Sequence, residues 1–415
     1  MQASLISVQN NVQTPFIVVK IGDYTFGEYK RSGKLGTNSI QKVTFPNLVT
    51  AIDIKKVNGA INTYTVYLTY GITEHDDPNM IEKVISSVSE TRKINFLYGD
   101  YSAPAFIYKN EEAIITKVTS KVNFKSSQIE YTISATSSSL SLNAGVFNFP
   151  GYSSKKPSDV LKKLILDEQY GLTTIFYGMK KTSQSSLSEF IVGDDKPVKL
   201  QAQASMSIIA YINYLVSCMT WVHEPANNPL KSALYFWSAY DDITNEYSGP
   251  YFKVVRVDAN ARYTSSSNAY SIDVGYPGGT HIIDFSINTN DSWAILYNHS
   301  KKINLSEYSY EIDDSGKVVP ALSPVVTKSS KYLTTTETSK AWWSQMTQYP
   351  VSATLTIKGL LKPAVLMSFI KINSYFFGKK HISSGLYIIT KQQDRVDSSG
   401  YKTTLSLTRI SGDEM

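Results

Sequence analysis

The chain has 415 residues, a formal net charge of +6, 42% hydrophobic and 18% charged side chains, against the ~25% charged residues of an ordinary soluble domain. Length alone suggests about three domains with real cores, and the charge is too mild and dispersed for a nucleic-acid binder: Lys and Arg come in pairs such as Lys180-Lys181 and Lys379-Lys380, without a basic stripe or motif. A single cysteine, Cys218, excludes an internal disulfide and a cysteine-based zinc site, and suggests synthesis in a reducing cytosol.

The N-terminus, Met1-Gln2-Ala3-Ser4-Leu5, has neither the basic start nor the apolar run of a signal peptide. Phe16-Ile17-Val18-Val19 opens the first strand. Residues 50–56 and 63–70 alternate cleanly, the second as Tyr64, Val66, Leu68 and Tyr70 on one face against Thr63, Thr65, Tyr67 and Thr69 on the other. Between them, Asn58-Gly59 signals a hairpin turn, because both residue types tolerate positive φ. Asp77 can cap a helix with Pro78 at its first position and an apolar stripe of Ile81, Val84, Ile85 and Val88. Strands follow at 113–118 and 129–135. A boundary is placed at 147–151, after Ser137-Ser138-Ser139.

Two helices come next. One runs from Pro157 to about Tyr170, with Val160, Leu161, Leu164 and Ile165 inward and Gly171 as a stop. The other spans about 205–219, with Ile208, Ile209, Ile212, Leu215, Val216 and Met219 inward. It is the longest apolar candidate, yet Asn213 and Ser217 interrupt it, and no stretch reaches the ~18 apolar residues of a membrane span. Strands are predicted at 252–257, 282–287, 353–357, 386–391 and 402–409, with a second boundary at 264–268. A further helix begins near Thr334, where Thr334 and Glu337 have capping-box spacing, and carries Ala341, Trp342 and Met346. The fold class is therefore mainly β with an α+β insertion: a β domain over 1–150, a middle α+β domain over 151–263 and a second β domain over 264–415. Tyr, with 29 copies, supplies rigid rings with polar tips suited to such sheets and to subunit contacts.

The two outer blocks resemble each other. Residues 114–117 read Ile-Ile-Thr-Lys, and so do residues 388–391. Five residues beyond each lysine come Val122-Asn123 and Val396-Asp397, then the pairs Ser126-Ser127 and Ser398-Ser399, then the strands Tyr131-Thr132-Ile133-Ser134 and Thr403-Thr404-Leu405-Ser406. One long hairpin is written twice, with the second turn two residues shorter.

Chemistry is harder to find. The five histidines, His75, His223, His281, His299 and His381, show no ligand spacing. His75-Asp76-Asp77 reads better as a carboxylate-rich helix start than as a metal corner. Asp194-Asp195, Asp241-Asp242 and Asp313-Asp314 lie in polar loops, where turn chemistry explains them; nothing points to a pair flanking a cleft at the ~5–10 Å that glycoside hydrolysis needs. Gly33-Lys34-Leu35-Gly36-Thr37 lacks the Ser or Thr that follows the lysine of a phosphate loop. Cys218 reads as a buried, inert thiol, and Trp342-Trp343 as core or interface anchors. No catalytic, cofactor-binding or metal residue is assigned, and no cofactor is implied.

The closing segment has a familiar form. Ser384-Gly385-Leu386-Tyr387-Ile388-Ile389, then Asp397-Ser398-Ser399-Gly400-Tyr401-Lys402-Thr403-Thr404-Leu405-Ser406-Leu407-Thr408-Arg409, resembles the last hairpin of bacteriophage tail baseplate hub proteins of the late control protein D, contractile-tail type. The strand at 353–359 before Pro363, Pro157-Ser158-Asp159-Val160-Leu161 opening a helix, and the stretch from Phe45-Pro46-Asn47 to Glu112-Ala113-Ile114-Ile115 are similar to the same assemblies. The resemblance implies two tail-tube-like β-barrel or sandwich domains around the middle α+β domain. It implies a non-enzymatic structural protein, a homotrimer joining the hexameric tail tube to the trimeric central spike or tail tip protein. Other baseplate proteins would be neighbours, DNA only passing cargo, and the location the baseplate of a virion tail assembled in the host cytoplasm. Two other readings stand beside it: a tail-tip carbohydrate or receptor binder, suggested by Tyr and Trp, and a hub-associated peptidoglycan hydrolase.

Overall fold

The computed structural model describes residues 14–27, 48–71, 86, 88, 92–100, 109–137, 142–143, 145–170, 197–218, 231–238, 251–258, 270–274, 282–289, 310–312, 318–320, 351–359, 369–381 and 383–412. Strands dominate. The first block holds β1 (Pro15–Ile21), β2 (Tyr24–Phe26), β3 (Val49–Val57), β4 (Thr63–Gly71), β5 (Lys93–Asp100), β6 (Lys109–Asn123) and β7 (Gln128–Thr136). The middle holds β8 (Phe147–Phe149), β9 (Tyr152–Lys155), α1 (Pro157–Leu166), β10 (Val198–Leu200), β11 (Gln203–Met206), α2 (Ile208–Cys218), β12 (Lys231–Ser238) and β13 (Tyr251–Asp258). The last holds β14 (Tyr270–Val274), β15 (Ile282–Thr289), β16 (Tyr310–Ile312), β17 (Val318–Pro320), β18 (Val351–Lys358), β19 (Phe369–Phe376), β20 (Lys379–Lys380), β21 (Gly385–Asp397) and β22 (Gly400–Gly412).

Most of the outer strands share one 14-stranded sheet, in the order β15-β18-β22-β21-β3-β4-β7-β6-β5-β1-β2, with β19 also on β21 and β14 on β19. Alternation dictates the inner face. On β4, Tyr64, Val66, Leu68 and Tyr70 are buried while Thr63, Tyr67 and Gly71 are exposed. The predicted turn holds, with Gly59 at φ +69° as its position requires. Against β3, β4 and β7 pack Ile94, Phe96 and Tyr98 of β5 and Val19 and Ile21 of β1, all at 0% exposure for the five named. Burying side chains of this size contributes roughly 1.5–3 kcal/mol each before conformational entropy is subtracted.

The middle segment has its own core, where α1 and α2 meet. Val160, Leu161, Leu164 and Ile165 of α1 face Ile208, Tyr211, Ile212 and Leu215 of α2, and Phe149 stacks on Tyr211 with ring centroids 3.8 Å apart. Pro157 opens α1 at the position where its missing N–H costs nothing. Several boundaries shift from expectation, among them the strand expected at 113–118, which spans Lys109–Asn123. The first helix ends at Leu166, and residues 168–170 continue as a 3-10 turn. The second starts at Ile208, since Gln203–Met206 pairs as β11 with β8, whose Phe147–Phe149 had read as a boundary. The strand predicted at 386–391 runs on to Asp397. The expected helices after Asp77 and Thr334 fall essentially outside the described residues, residue 86 alone being helical there.

Candidate assembly site at the seam between the repeats

The Ile-Ile-Thr-Lys segments occupy the same structural position twice. In β6–β7 the register slips between Ile115 and Lys117; in β21–β22 it slips between Ile389 and Lys391. Each slip is a bulge at the threonine, and each threonine hydroxyl donates to the serine carbonyl across the ladder, Thr116 Oγ1 to Ser134 O and Thr390 Oγ1 to Ser406 O, both at 3.2 Å. The hairpins close alike. Asn123 Oδ1 accepts from the backbone N–H groups of Lys125 and Ser126, and Asp397 Oδ1 from that of Ser399. The turn spans 124–127 in one and 398–399 in the other, the two-residue difference seen in the sequence.

The likeness extends beyond the hairpins. Five strands in chain order, β3, β4, β5, β6 and β7, lie side by side as β3-β4-β7-β6-β5. Their counterparts, β15, β18, β19, β21 and β22, lie as β15-β18-β22-β21-β19, again all antiparallel. Even the first strand pair matches, with a slip between Val49 and Ala51 in β3–β4 and between Ile282 and Asp284 in β15–β18. Shared bulges at two non-adjacent places are not a consequence of β composition; they mark a duplicated unit. Outside it the halves diverge, β1 running antiparallel to β5 but β14 parallel to β19.

The two units meet along one seam. The second half of β21 pairs antiparallel with β3, from Lys391 opposite Val57 to Asp397 opposite Ala51. The tip of the second hairpin thereby enters the first unit's core, with Val396 at 0% and Tyr401 at 1% exposure beside Ile52, Ile54 and Tyr98. At the inner face lies a buried polar cluster. Asp394, at 0% exposure, accepts from Gln392 Nε2 at 2.7 Å, Thr403 Oγ1 at 2.5 Å, and the hydroxyls of Tyr98 and Tyr401 at 3.3 Å each. Tyr98 comes from β5 of the first unit, so this carboxyl ties the units by side chain as well as backbone. Buried Lys56 sits opposite Gln392. A one-residue slip of the seam would break the Tyr98 bond and put the buried faces of β21 and β3 out of phase, which fixes the register.

On the outer face Gln393 Nε2 donates to both oxygens of Asp53, at 3.0 and 2.9 Å. Arg395 Nε donates to Asp397 Oδ2 at 2.8 Å, and this bond, with Ser399, holds the Asp397 carboxyl down at about 2 from its ordinary 3.8. Arg395 is pushed up by the same contact. Gly359 completes the seam: its N–H donates to Tyr401 O at 2.8 Å, and a Cβ there would lie 2.1 Å from the Tyr401 ring.

Two of the residues weighed for chemistry are described. Cys218 is buried in the α2 core, and His381 Nδ1 sits 2.8 Å from Ser383 Oγ in a turn. His75, His223, His281, His299, the paired aspartates, residues 33–37 and Trp342-Trp343 lie outside the described residues. Among the described residues no group of three or more His, Cys, Asp or Glu side chains converges to hold a metal, and no helix is long and apolar enough to cross a membrane.

No family model matches the sequence, and no curated protein is similar to it at sequence level. The fold finds matches among solved structures. The 43 kDa tail protein of prophage MuSo2 from Shewanella oneidensis superposes with a TM-score of 0.50 over 96% of this chain and 99% of that one, at 10% identity. This chain has the fold of a phage tail protein. Two further structures overlap less well. One is the tail protein from Neisseria meningitidis MC58, with a TM-score of 0.47, 10% identity and coverage of 95% and 96%. The other is the E. coli c3393 protein of the type VI secretion system, with a TM-score of 0.42, 7% identity and coverage of 90% and 78%.

Within this tail-protein fold, the residues that sequence reading missed are those of the seam. Asp394, Gln392 and Lys56 were not singled out, because charge and amide on a strand normally face water. One signal was available: Asp394 lies in phase with Val396, and Lys56 with Ile52 and Ile54, on the faces that alternation buries.

Proposed function

We propose that the protein is the structural baseplate hub of a phage tail, a non-enzymatic homotrimer that adapts the hexameric tail tube to the trimeric central spike and surrounds the DNA channel. The observation that carries this reading is the duplicated unit. A chain that presents one β unit twice, side by side in one sheet, offers three copies the means to form a ring of six similar parts. One face of such a ring suits a six-fold tube, while the three-fold repeat of the whole chain suits a spike. The tail-protein fold supports the reading. The domains follow: tail-tube-like units over 1–150 and 264–415, and an α+β domain over 151–263. The partners are the tube protein, the spike or tail tip protein and other baseplate proteins, in the virion tail.

The test is reconstitution. The purified chain mixed with the tube protein of the same particle is expected to cap tube ends as a ring, seen by negative-stain microscopy. Binding along the outside of the tube, or none, contradicts the reading.

A further inference from the structure

The seam inside one chain has a counterpart that the chain leaves open. β21 pairs β22 along its length; on its other side its first half pairs β19 and its second half pairs β3. β6 is built on the same plan, pairing β7 over residues 114–123 and β5 over residues 109–114. Its second half, the counterpart of the seam half of β21, has no partner strand on that side among the described residues. The counterpart of β3 is β15, whose only partner among the described strands is β18. Among the described residues one unpartnered edge of each kind remains, one from each unit.

The side chains agree. In the seam, Gln392, Asp394 and Val396 of β21 and Ile52, Ile54 and Lys56 of β3 form the buried face. Matching the bulges aligns Val118, Ser120 and Val122 of β6 with the first three, and Phe285 and Ile287 of β15 with Ile52 and Ile54. Val396 is 0% exposed, whereas Val122 is 46% exposed; Phe285 and Ile287 are half-covered where Ile52 and Ile54 are sealed. Nearby, Phe124 is 88% and Ile283 47% exposed. On the opposite face, exposed Lys121 would lie diagonal to exposed Asp284, a favourable cross-strand pair. An exposed edge with apolar side chains on one face is a pairing template.

We infer that the second half of β6 in one copy pairs antiparallel with the outer edge of β15 in the next copy, in the register that the seam displays. Val118 then faces Thr289, Ser120 faces Ile287, Lys121 faces Ser286, Val122 faces Phe285 and Asn123 faces Asp284 of a second copy of this chain. The contact is head-to-tail, so each copy uses both edges and a closed ring leaves none. The hairpin tip of the first unit inserts into the neighbour's second unit, as the second hairpin's tip inserts into the first unit here. The inference rests on the ring reading above and adds its register.

The experiment uses the full chain with paired cysteines, Lys121→Cys with Ser286→Cys and Val122→Cys with Phe285→Cys, placed on separate chains that are co-expressed and mildly oxidised. Neighbouring cross-strand pairs alternate between wide and narrow sites, and both fall within disulfide reach. Covalent dimers containing one chain of each kind are expected, and a chain carrying both substitutions is expected to ladder up to the ring size. Lys121→Cys with Asn288→Cys, two residues out of register, is expected to give at least tenfold less product. An oligomer of unchanged mass with no in-register cross-link overturns the register and leaves the ring. A chain that stays monomeric at tens of micromolar, with an unchanged circular dichroism spectrum, overturns both.

Discussion

Replacing Asp394 by alanine tests the seam where its chemistry is densest. The substitution leaves four donors in a fully buried site without their acceptor: Gln392 and Thr403 at 2.7 and 2.5 Å, Tyr98 and Tyr401 at 3.3 Å. The two short bonds are worth roughly 1–2 kcal/mol each, and the two long ones under about 1 kcal/mol each once partial relaxation is allowed. The expected loss is therefore about 3–4 kcal/mol. Asp394→Asn keeps one good acceptor and presents an NH2 to the other donors, so about half that loss is expected. Urea unfolding followed in the β-strand band of circular dichroism measures both. A cycle with Tyr98→Phe isolates the side-chain link between the units, expected at about 0.5–1 kcal/mol of coupling. If Asp394→Ala costs less than about 1 kcal/mol, the cluster is not a stabilising part of the seam and the reasoning fails.

Other outcomes follow from the same geometry. Gly359→Ala drives a methyl into the buried Tyr401 ring and is expected to cost about 2–3 kcal/mol in thermal or urea unfolding. Thr390→Val, at a half-buried bulge, is expected to cost about 1 kcal/mol, whereas Thr116→Val, at the exposed counterpart, costs a few tenths. The depressed Asp397 carboxyl contributes stability that is present above its ordinary value of 3.8 and is lost as pH falls toward about 2. In Arg395→Gln, an NMR titration of Asp397 is expected to move back up toward that ordinary value, and the acid limb of the stability curve flattens.

Much of the fold was legible locally. β4 announced its buried face because alternation over nine residues leaves little freedom, and the hairpin repeat carried its bulge in its own letters, the Thr of Ile-Ile-Thr-Lys being the residue that slips the register. β5 shows the same alternation through Ile94, Phe96 and Tyr98, and was missed although its signal is as good. The far half of β6 was illegible for a physical reason. Among the described residues Lys117-Val118-Thr119-Ser120-Lys121 pairs on one side alone, and its side chains carry the polarity of a loop. The pairings β8–β11 and β9–β10 join segments of three or four residues over forty apart, too short for any period to show. The seam was hidden most deeply. Which edge meets which is decided by contacts 340 residues apart, such as Gln393 with Asp53, and no local pattern encodes that.

The oligomeric mass of the purified chain tests the central claim most directly. Three chains of 46.3 kDa give a particle of about 139 kDa, and mass photometry is expected to find that species with two-dimensional averages showing six similar lobes around a hole. A single population at 46.3 kDa, persisting at concentrations far above a micromolar, would contradict it.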